Sequence, residues 1–301
     1  MSSDLHQVIE RASIMLLKAA TTILPPDVKN ALIRAKEAEN NPLAKAQFEA
    51  ILKNCELAEK EGKPICQDTG LIIFYISVGD KFPIKGKLPE ILKGAVVKAT
   101  SEVPLRPNAV DIITKRNSGD NTGRYIPWIE WEVIPDSDVL EITAFPKGGG
   151  SEAPCAAKVF SPAQGIKYVK KFVVDAVAQA AAKPCPPVLI GLGIGGTIDI
   201  AMKLAKKALL RPVGVRSEIP EIAKLEEELL ELVNSLGIGP HGVGGKTTAL
   251  TVNVDYACRH PATFAAGLAF NCWAARRSKM KIYADGSVEF ITHRILNELW
   301  R

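Results

Sequence analysis

Val188-Leu189-Ile190-Gly191-Leu192-Gly193-Ile194-Gly195-Gly196-Thr197 leads directly into residues 198–210, and this stretch decides the class of fold. Residues 188–190 form a short apolar run of the buried-strand type, and 198–210 read as a helix. The glycines between them predict a tight strand-to-helix turn. A strand feeding a helix in mid-chain is the working unit of a mixed α and β protein.

The same mixture extends in both directions. Leu5, Val8, Ile9, Ala12, Leu16 and Leu17 recur at helical spacing, and Pro25-Pro26 ends that segment. Pro25-Pro26-Asp27 opens a second helix. A third covers 43–60 and stops at Gly62-Lys63-Pro64. Further helices are expected over 88–103, 162–182 and 219–236. Strands are expected over 71–78, 249–254, 264–270 and 281–284, the last turning at Asp285-Gly286 into 288–291. Residues 128–134 and 139–145 read as two strands paired with each other across Pro135-Asp136-Ser137-Asp138. There is neither an internal repeat nor a low-complexity linker. The expected architecture is α/β. A helical N-terminal region, 1–62, precedes a two-lobed body, 63–301, of mixed sheets flanked by helices, all within one catalytic domain.

Composition narrows the function. The chain has 301 residues, 47% hydrophobic and 24% charged, enough to bury a core without disulfides. Its net charge of +5 is mild and unclustered, which suits a small anionic substrate and argues against nucleic acid. No apolar run approaches the roughly 20 residues of a membrane span. The N-terminus shows neither a basic nor an apolar signal region. Six scattered cysteines are too few for a disulfide framework. The expectation is a reduced, cytoplasmic enzyme.

Two glycine-rich stretches imitate nucleotide sites. Gly191, Gly193 and Gly196 fit the dinucleotide fingerprint and would make the chain a nicotinamide-binding oxidoreductase, the alternative of a different class. Against it, Leu210-Arg211-Pro212-Val213-Gly214 leaves little room for the second strand that the fingerprint requires. Gly239-Pro240-His241-Gly242-Val243-Gly244-Gly245-Lys246-Thr247 resembles a P-loop, but Pro240 stands where a glycine is needed and a helix, not a strand, precedes it. Thr197 and Lys246 remain candidates for anion contact.

Three cysteines sit in unusual settings. Cys66 lies in Pro64-Ile65-Cys66-Gln67-Asp68-Thr69-Gly70, Cys185 in Lys183-Pro184-Cys185-Pro186-Pro187, and Cys272 in Asn271-Cys272-Trp273-Ala274-Ala275-Arg276-Arg277. Prolines fix the backbone around the second, and cations beside the third favour thiolate, the ligating form. Each alone reads more readily as a small core residue. Together they are candidates to converge, at spacings that exclude a local zinc knuckle. Cys55 reads as core, and Cys155 and Cys258 have less distinctive surroundings.

Ile65–Gly70, Pro104-Leu105-Arg106-Pro107-Asn108, Lys147-Gly148-Gly149-Gly150-Ser151-Glu152, Cys185-Pro186-Pro187, Gly195-Gly196-Thr197, Gly244-Gly245-Lys246-Thr247-Thr248 and Arg259-His260-Pro261 occur in an order that resembles the alpha subunits of the class I, iron–sulfur fumarase and L(+)-tartrate dehydratase family, over essentially the whole chain. The resemblance implies that Cys66, Cys185 and Cys272 hold a [4Fe-4S] cluster with one open iron, since only a fourth cysteine would close it. It implies Asp68 as a catalytic group, and Gln67, Arg106, the Gly149 amide and His260 as substrate contacts. Arg106 has the planar fork for a carboxylate. The implied reaction is reversible hydration of fumarate to malate, with L(+)-tartrate dehydration to oxaloacetate as the alternative. The family places further contacts and a proton-abstracting base on a second domain or beta subunit that no part of this sequence resembles. An alpha2-beta2 enzyme acting on a small dicarboxylate is therefore expected.

Overall fold

The computed structural model describes residues 2–300, with side chains from Asp4 onward. In chain order its elements are α1 (Ser2–Thr22), α2 (Pro26–Ala38), α3 (Pro42–Glu61), β1 (Ile73–Gly79), α4 (Leu88–Glu102), β2 (Trp128–Ile134), β3 (Leu140–Ala144), α5 (Gly149–Glu152), β4 (Ala156–Phe160), α6 (Gly165–Ala180), β5 (Val188–Ile194), α7 (Ile198–Ala208), α8 (Pro220–Asn234), β6 (Ala249–Tyr256), β7 (Phe264–Asn271), β8 (Ser278–Ile282), β9 (Val288–Phe290) and α9 (Leu296–Leu299). The fold is mixed α/β, as the sequence indicates. Its residues fall into two compact units. The first comprises Met1–Pro26, Asn54–Gly148 and Arg276–Arg301, and the second Asp27–Lys53 and Gly149–Ala275.

The first unit holds a five-stranded sheet in the order β2-β1-β3-β8-β9. β2 pairs parallel to β1, while β3 pairs antiparallel to β1 on its other side. The expected pairing of 128–134 with 139–145 is therefore corrected: β1 lies between them. Its apolar side chains are largely buried, whereas β2 exposes most of its residues, so the more apolar strand takes the centre and β2 the edge. The end of β1 secures this order. The N–H groups of Gly79, Asp80 and Lys81 donate to the carbonyls of Val139, Ile134 and Ser137. α1 packs on α4 and against β3 and β8. Ile9, Leu16, Phe74, Phe82, Leu92, Ile142 and Phe290 are fully buried in that core.

The second unit holds a four-stranded sheet, β4-β7-β5-β6, in which β5 is parallel to β6 and antiparallel to β7. Strand alternation gives β5 two different faces. Val188, Ile190, Leu192 and Ile194 join a core with Val169, Val173 and Val177 of α6 and Leu225, Leu229 and Val233 of α8. Gly191 and Gly193 point the other way, toward α7. A Cβ on Gly193 would stand 1.9 Å from the Ala201 carbonyl oxygen, and one on Gly191 2.0 Å from that of Ala205. Gly267, the register partner of Gly193 on β7, meets Ala201 in the same way. The sheet is thus covered on both faces, and α7 lies directly on backbone.

This corrects the boundary expected from sequence. The strand continues to Ile194, so two of the fingerprint glycines are strand residues that admit a helix, and only Gly195 and Gly196 form the turn. The dinucleotide resemblance has a packing cause. β4 and the short α5 and α9 carry too little periodicity to be read beforehand.

Gly193→Ala is expected to destabilise the protein by about 3 kcal/mol through overpacking against α7. Gly86→Ala, with open space at its Cβ, is the control. Urea denaturation measures both, and a Gly193→Ala loss below about 0.5 kcal/mol, the range of neutral surface changes, would show that α7 does not need this contact.

Candidate active site

In the first unit the site begins with the loop after α3. The Ile65 N–H donates to the Thr21 carbonyl at 3.0 Å, and its carbonyl accepts from Asn54 Nδ2 at 2.8 Å, so the residue before Cys66 is held at both ends. Cys66 is half-buried and Gln67 exposed. Asp68 Oδ1 accepts the Gly70 N–H at 2.9 Å, which turns the loop and orients the carboxylate. Gly70 itself has φ +87°, and a Cβ there would lie 2.6 Å from the Pro146 carbonyl carbon. Only glycine lets this loop lie flat on residues 146–147.

Thr69, 1% exposed, ties the loop to Arg106. Its Oγ1 accepts the Arg106 N–H at 3.0 Å and is within 3.3 Å of the Arg106 carbonyl and of Asn108 Nδ2. The buried Asn121 completes the clamp: its Nδ2 donates to the Arg106 carbonyl at 3.1 Å and its Oδ1 accepts the Asn108 N–H. The Arg106 backbone is thereby fixed while its side chain stays exposed, the arrangement of an anion-capturing arginine. Sequence reasoning singled out Arg106 and missed Thr69 and Asn121. Small polar residues give no hint from sequence that they are buried.

Arg276 entered the sequence reading only as a cation near Cys272. It is 1% exposed, and its Nε donates to the Pro146 carbonyl at 3.3 Å. A Cβ at Gly148 would stand 2.6 Å from its Nη2 and 3.0 Å from Asp68 Oδ2. The guanidinium and the Asp68 carboxylate thus flank one glycine.

In the second unit Cys185 is exposed and has φ 53°, a strained value for a residue with a Cβ. Its carbonyl accepts the Trp273 N–H at 3.3 Å, which brings its segment against that of the half-buried Cys272. The His241 N–H donates to the Pro186 carbonyl at 2.7 Å, and its ring lies 6.0 Å from that of Trp273. Gln47 Nε2 lies 3.2 Å from His241 Nδ1, within hydrogen-bond distance, and burial lowers the His241 pKa. Gly149 is exposed at the start of α5. His260 is exposed in the loop between β6 and β7, its Nδ1 accepting the Ala262 N–H at 3.1 Å.

All three candidate ligands lie in loops outside any disulfide, whereas Cys55 is buried in α3. Cys155 is engaged internally, its sulfur accepting the Phe270 N–H at 3.4 Å. Among the described residues no group of three or more His, Cys, Asp or Glu side chains is assembled around a metal position. The donor chemistry of three accessible thiols nevertheless fits an iron–sulfur cluster.

The remaining anion candidates are satisfied by the chain itself. Thr197 Oγ1 donates to Asp199. The glycine-rich loop 239–247 gives one N–H to an internal carboxylate, that of Glu39: Oε2 accepts the Lys246 N–H at 2.7 Å, while Oε1 accepts those of Asn40 and Asn41, just after Glu39 in the chain, at 2.9 and 3.0 Å. Lys246 Nζ donates to the Ala38 carbonyl. The P-loop likeness is a loop shaped around an internal anion.

The class is a mixed α/β protein that carries Cys66, Asp68 and an exposed Arg106 on loops of the first unit and Cys185 and Cys272 on loops of the second. A family model described as Fumarate hydratase (Fumerase) matches residues 10–281. The chain is 41% identical over 273 residues to L(+)-tartrate dehydratase subunit alpha of Escherichia coli K12, covering 91% of this chain and 90% of that protein. It is 45% identical over 278 residues to the putative L(+)-tartrate dehydratase subunit alpha of Methanocaldococcus jannaschii, covering 91% and 98%. The chain belongs to the fumarate hydratase (Fumerase) family and is a hydro-lyase.

Glu39 supplies a test of the loop. Burial pushes its pKa up, but the N–H groups of Asn41, Lys246 and Asn40 outweigh this and lower it from the ordinary 4.5. A lowered carboxylate stabilises the fold above its unfolded value, and that contribution disappears as pH falls through the native value. Glu39→Gln should therefore be less stable at pH 7, with the gap to the parent closing below about pH 4. Denaturation across pH measures this, and a gap independent of pH would exclude the charge as its source.

Proposed function

We propose that the chain is the cluster-bearing alpha subunit of a [4Fe-4S] hydro-lyase that interconverts fumarate and malate. The observation that carries this reading is the Cys66–Gly70 loop, which presents a thiol and Asp68 and holds Arg106 through Thr69, in a chain matched over residues 10–281 by the fumarate hydratase model. Cys66, Cys185 and Cys272 would hold the cluster. When bound, it supplies an open iron as Lewis acid to the departing hydroxyl.

The chain's own residues do the rest. Arg106 pairs a substrate carboxylate through its fork. Gln67 and the Gly149 amide contact the substrate and orient it, and His260 donates to it or accepts from it. Asp68, fixed at Oδ1 by Gly70, takes part in proton movement next to the carboxylate. The proton-abstracting base is assigned to a beta subunit, and the assembly to alpha2-beta2 in the cytoplasm. The "subunit alpha" in the relatives' names supports a partner. So do apolar side chains exposed along β2: Trp128, Trp131, Val133 and Ile134. No described helix is long and apolar enough to cross a membrane. The whole of 1–301 is read as one catalytic domain.

A second reading, L(+)-tartrate dehydration, is favoured by the relatives' names. Tartrate has one hydroxyl more than malate, and a site built to bond it would discriminate strongly. Anaerobic co-purification with candidate beta chains, followed by assay on malate, fumarate and L-tartrate, separates the readings. Preferred turnover of malate and fumarate is expected. Preference for tartrate would overturn the first reading, and full turnover by the isolated chain would refute a shared site.

Cys66→Ala, Cys185→Ala and Cys272→Ala should each lose iron and activity, while Cys55→Ala keeps both. Iron analysis and visible absorption check this, and full iron in Cys185→Ala would sink the ligand assignment. Arg106→Lys should keep the iron and lower kcat/KM by about tenfold or more, because Lys offers no fork. Unchanged kinetics would reduce Arg106 to a surface residue.

A further inference from the structure

Arg276 is the largest fully buried side chain among those described, and the function proposed above does not use it. A guanidinium carries its charge at any physiological pH and has five N–H donors to satisfy. Nε is engaged by the Pro146 carbonyl, and Nη2 lies beside Gly148 with Asp68 Oδ2 next to it. Nη1 has no hydrogen-bond partner. A buried cation with an idle donor is costly unless a partner arrives with a ligand.

The surroundings say what kind of partner. Asp68 sits on the loop that carries Cys66, and that same loop holds Arg106 through Thr69. Two arginines are thereby fixed around one short loop, one with an exposed side chain and one buried. Gly148 matters here because any side chain would drive into both the guanidinium and the carboxylate. A neutral ligand would not repay placing a second cation there. A ligand with two negative ends would.

We propose that Arg276 is a second carboxylate anchor, its Nη1 donating to an oxygen of a bound dicarboxylate while Arg106 takes another. This rests on the reading of the loop as a substrate site, but not on which hydro-lyase reaction occurs there. The rival is a purely structural arginine whose Nη1 is satisfied by water.

The test uses the cluster-loaded enzyme, the chain together with its beta partner, and reads binding apart from turnover. Succinate, a non-reacting dicarboxylate, is titrated calorimetrically into the parent, Arg276→Lys and Arg276→Gln, with propionate as the one-carboxylate comparison. Iron content and melting temperature are recorded alongside. Loss of a charge-assisted bond predicts succinate binding weaker by about tenfold to a hundredfold in Arg276→Gln. Arg276→Lys should be intermediate and iron unchanged. The preference of the parent for succinate over propionate should shrink in both variants, which a loss of packing alone would not produce. Should Arg276→Gln fail to fold, Arg276→Lys, which keeps charge and stem, carries the comparison. Succinate affinity equal to the parent's in a folded, iron-loaded variant would overturn the proposal. If the parent binds succinate through Arg276 yet turns over neither malate, fumarate nor tartrate, the proposed reaction falls and the anchor stands.

Discussion

Backbone meets backbone at a few points where no side chain fits, and much of this protein hangs on those contacts. In the second unit α7 rests on Gly191, Gly193 and Gly267, with carbonyl oxygens where Cβ atoms would otherwise be. In the first, Gly70 lets the Cys66 loop lie on Pro146 and Lys147. These approaches leave no slack. The chain cannot be displaced there by a few tenths of an ångström without a clash, so the residues beside each contact inherit a fixed position. At Gly148 the neighbours are side chains instead: the Arg276 guanidinium and the Asp68 carboxylate both lie where a Cβ would reach.

Around those points, small polar side chains bond backbone rather than ligand. Thr69 and Asn121 hold the Arg106 segment, and Glu39 closes the loop before Lys246. A buried hydroxyl or amide that satisfies several backbone groups rigidifies a loop that regular secondary structure does not reach. The consequence is that Arg106 extends an exposed side chain from a backbone held by hydrogen bonds on both its N–H and its carbonyl. Capture of a carboxylate then costs little ordering beyond the side chain itself.

The function proposed above requires an enzyme to hold two charged ends of a small molecule, assist a poor leaving group and move a proton next to a carboxylate. That proposal assigns the first two needs to Arg106 and to the thiols of Cys66, Cys185 and Cys272. It assigns the third to Asp68 and to a base on a beta subunit.

The sequence by itself determined the mixed α/β class, most helices and strands, and the family, because these follow from local periodicity and short ordered motifs. It marked Cys66, Asp68 and Arg106 because prolines, glycines and charges cluster around them. The tertiary structure alone decided that β1 separates β2 from β3, since strand order depends on which strand needs burial on both faces. It decided that the dinucleotide-like glycines seat α7 and that the P-loop-like stretch embraces Glu39. A glycine motif reads the same whether the approaching group is a phosphate, a helix or the chain's own carboxylate. It also decided the placement of Thr69, Asn121 and Arg276, whose cited partners lie 15 to 130 residues away in sequence. What fills a space or leaves a donor unpaired is fixed by distant segments meeting, and no local pattern records that meeting.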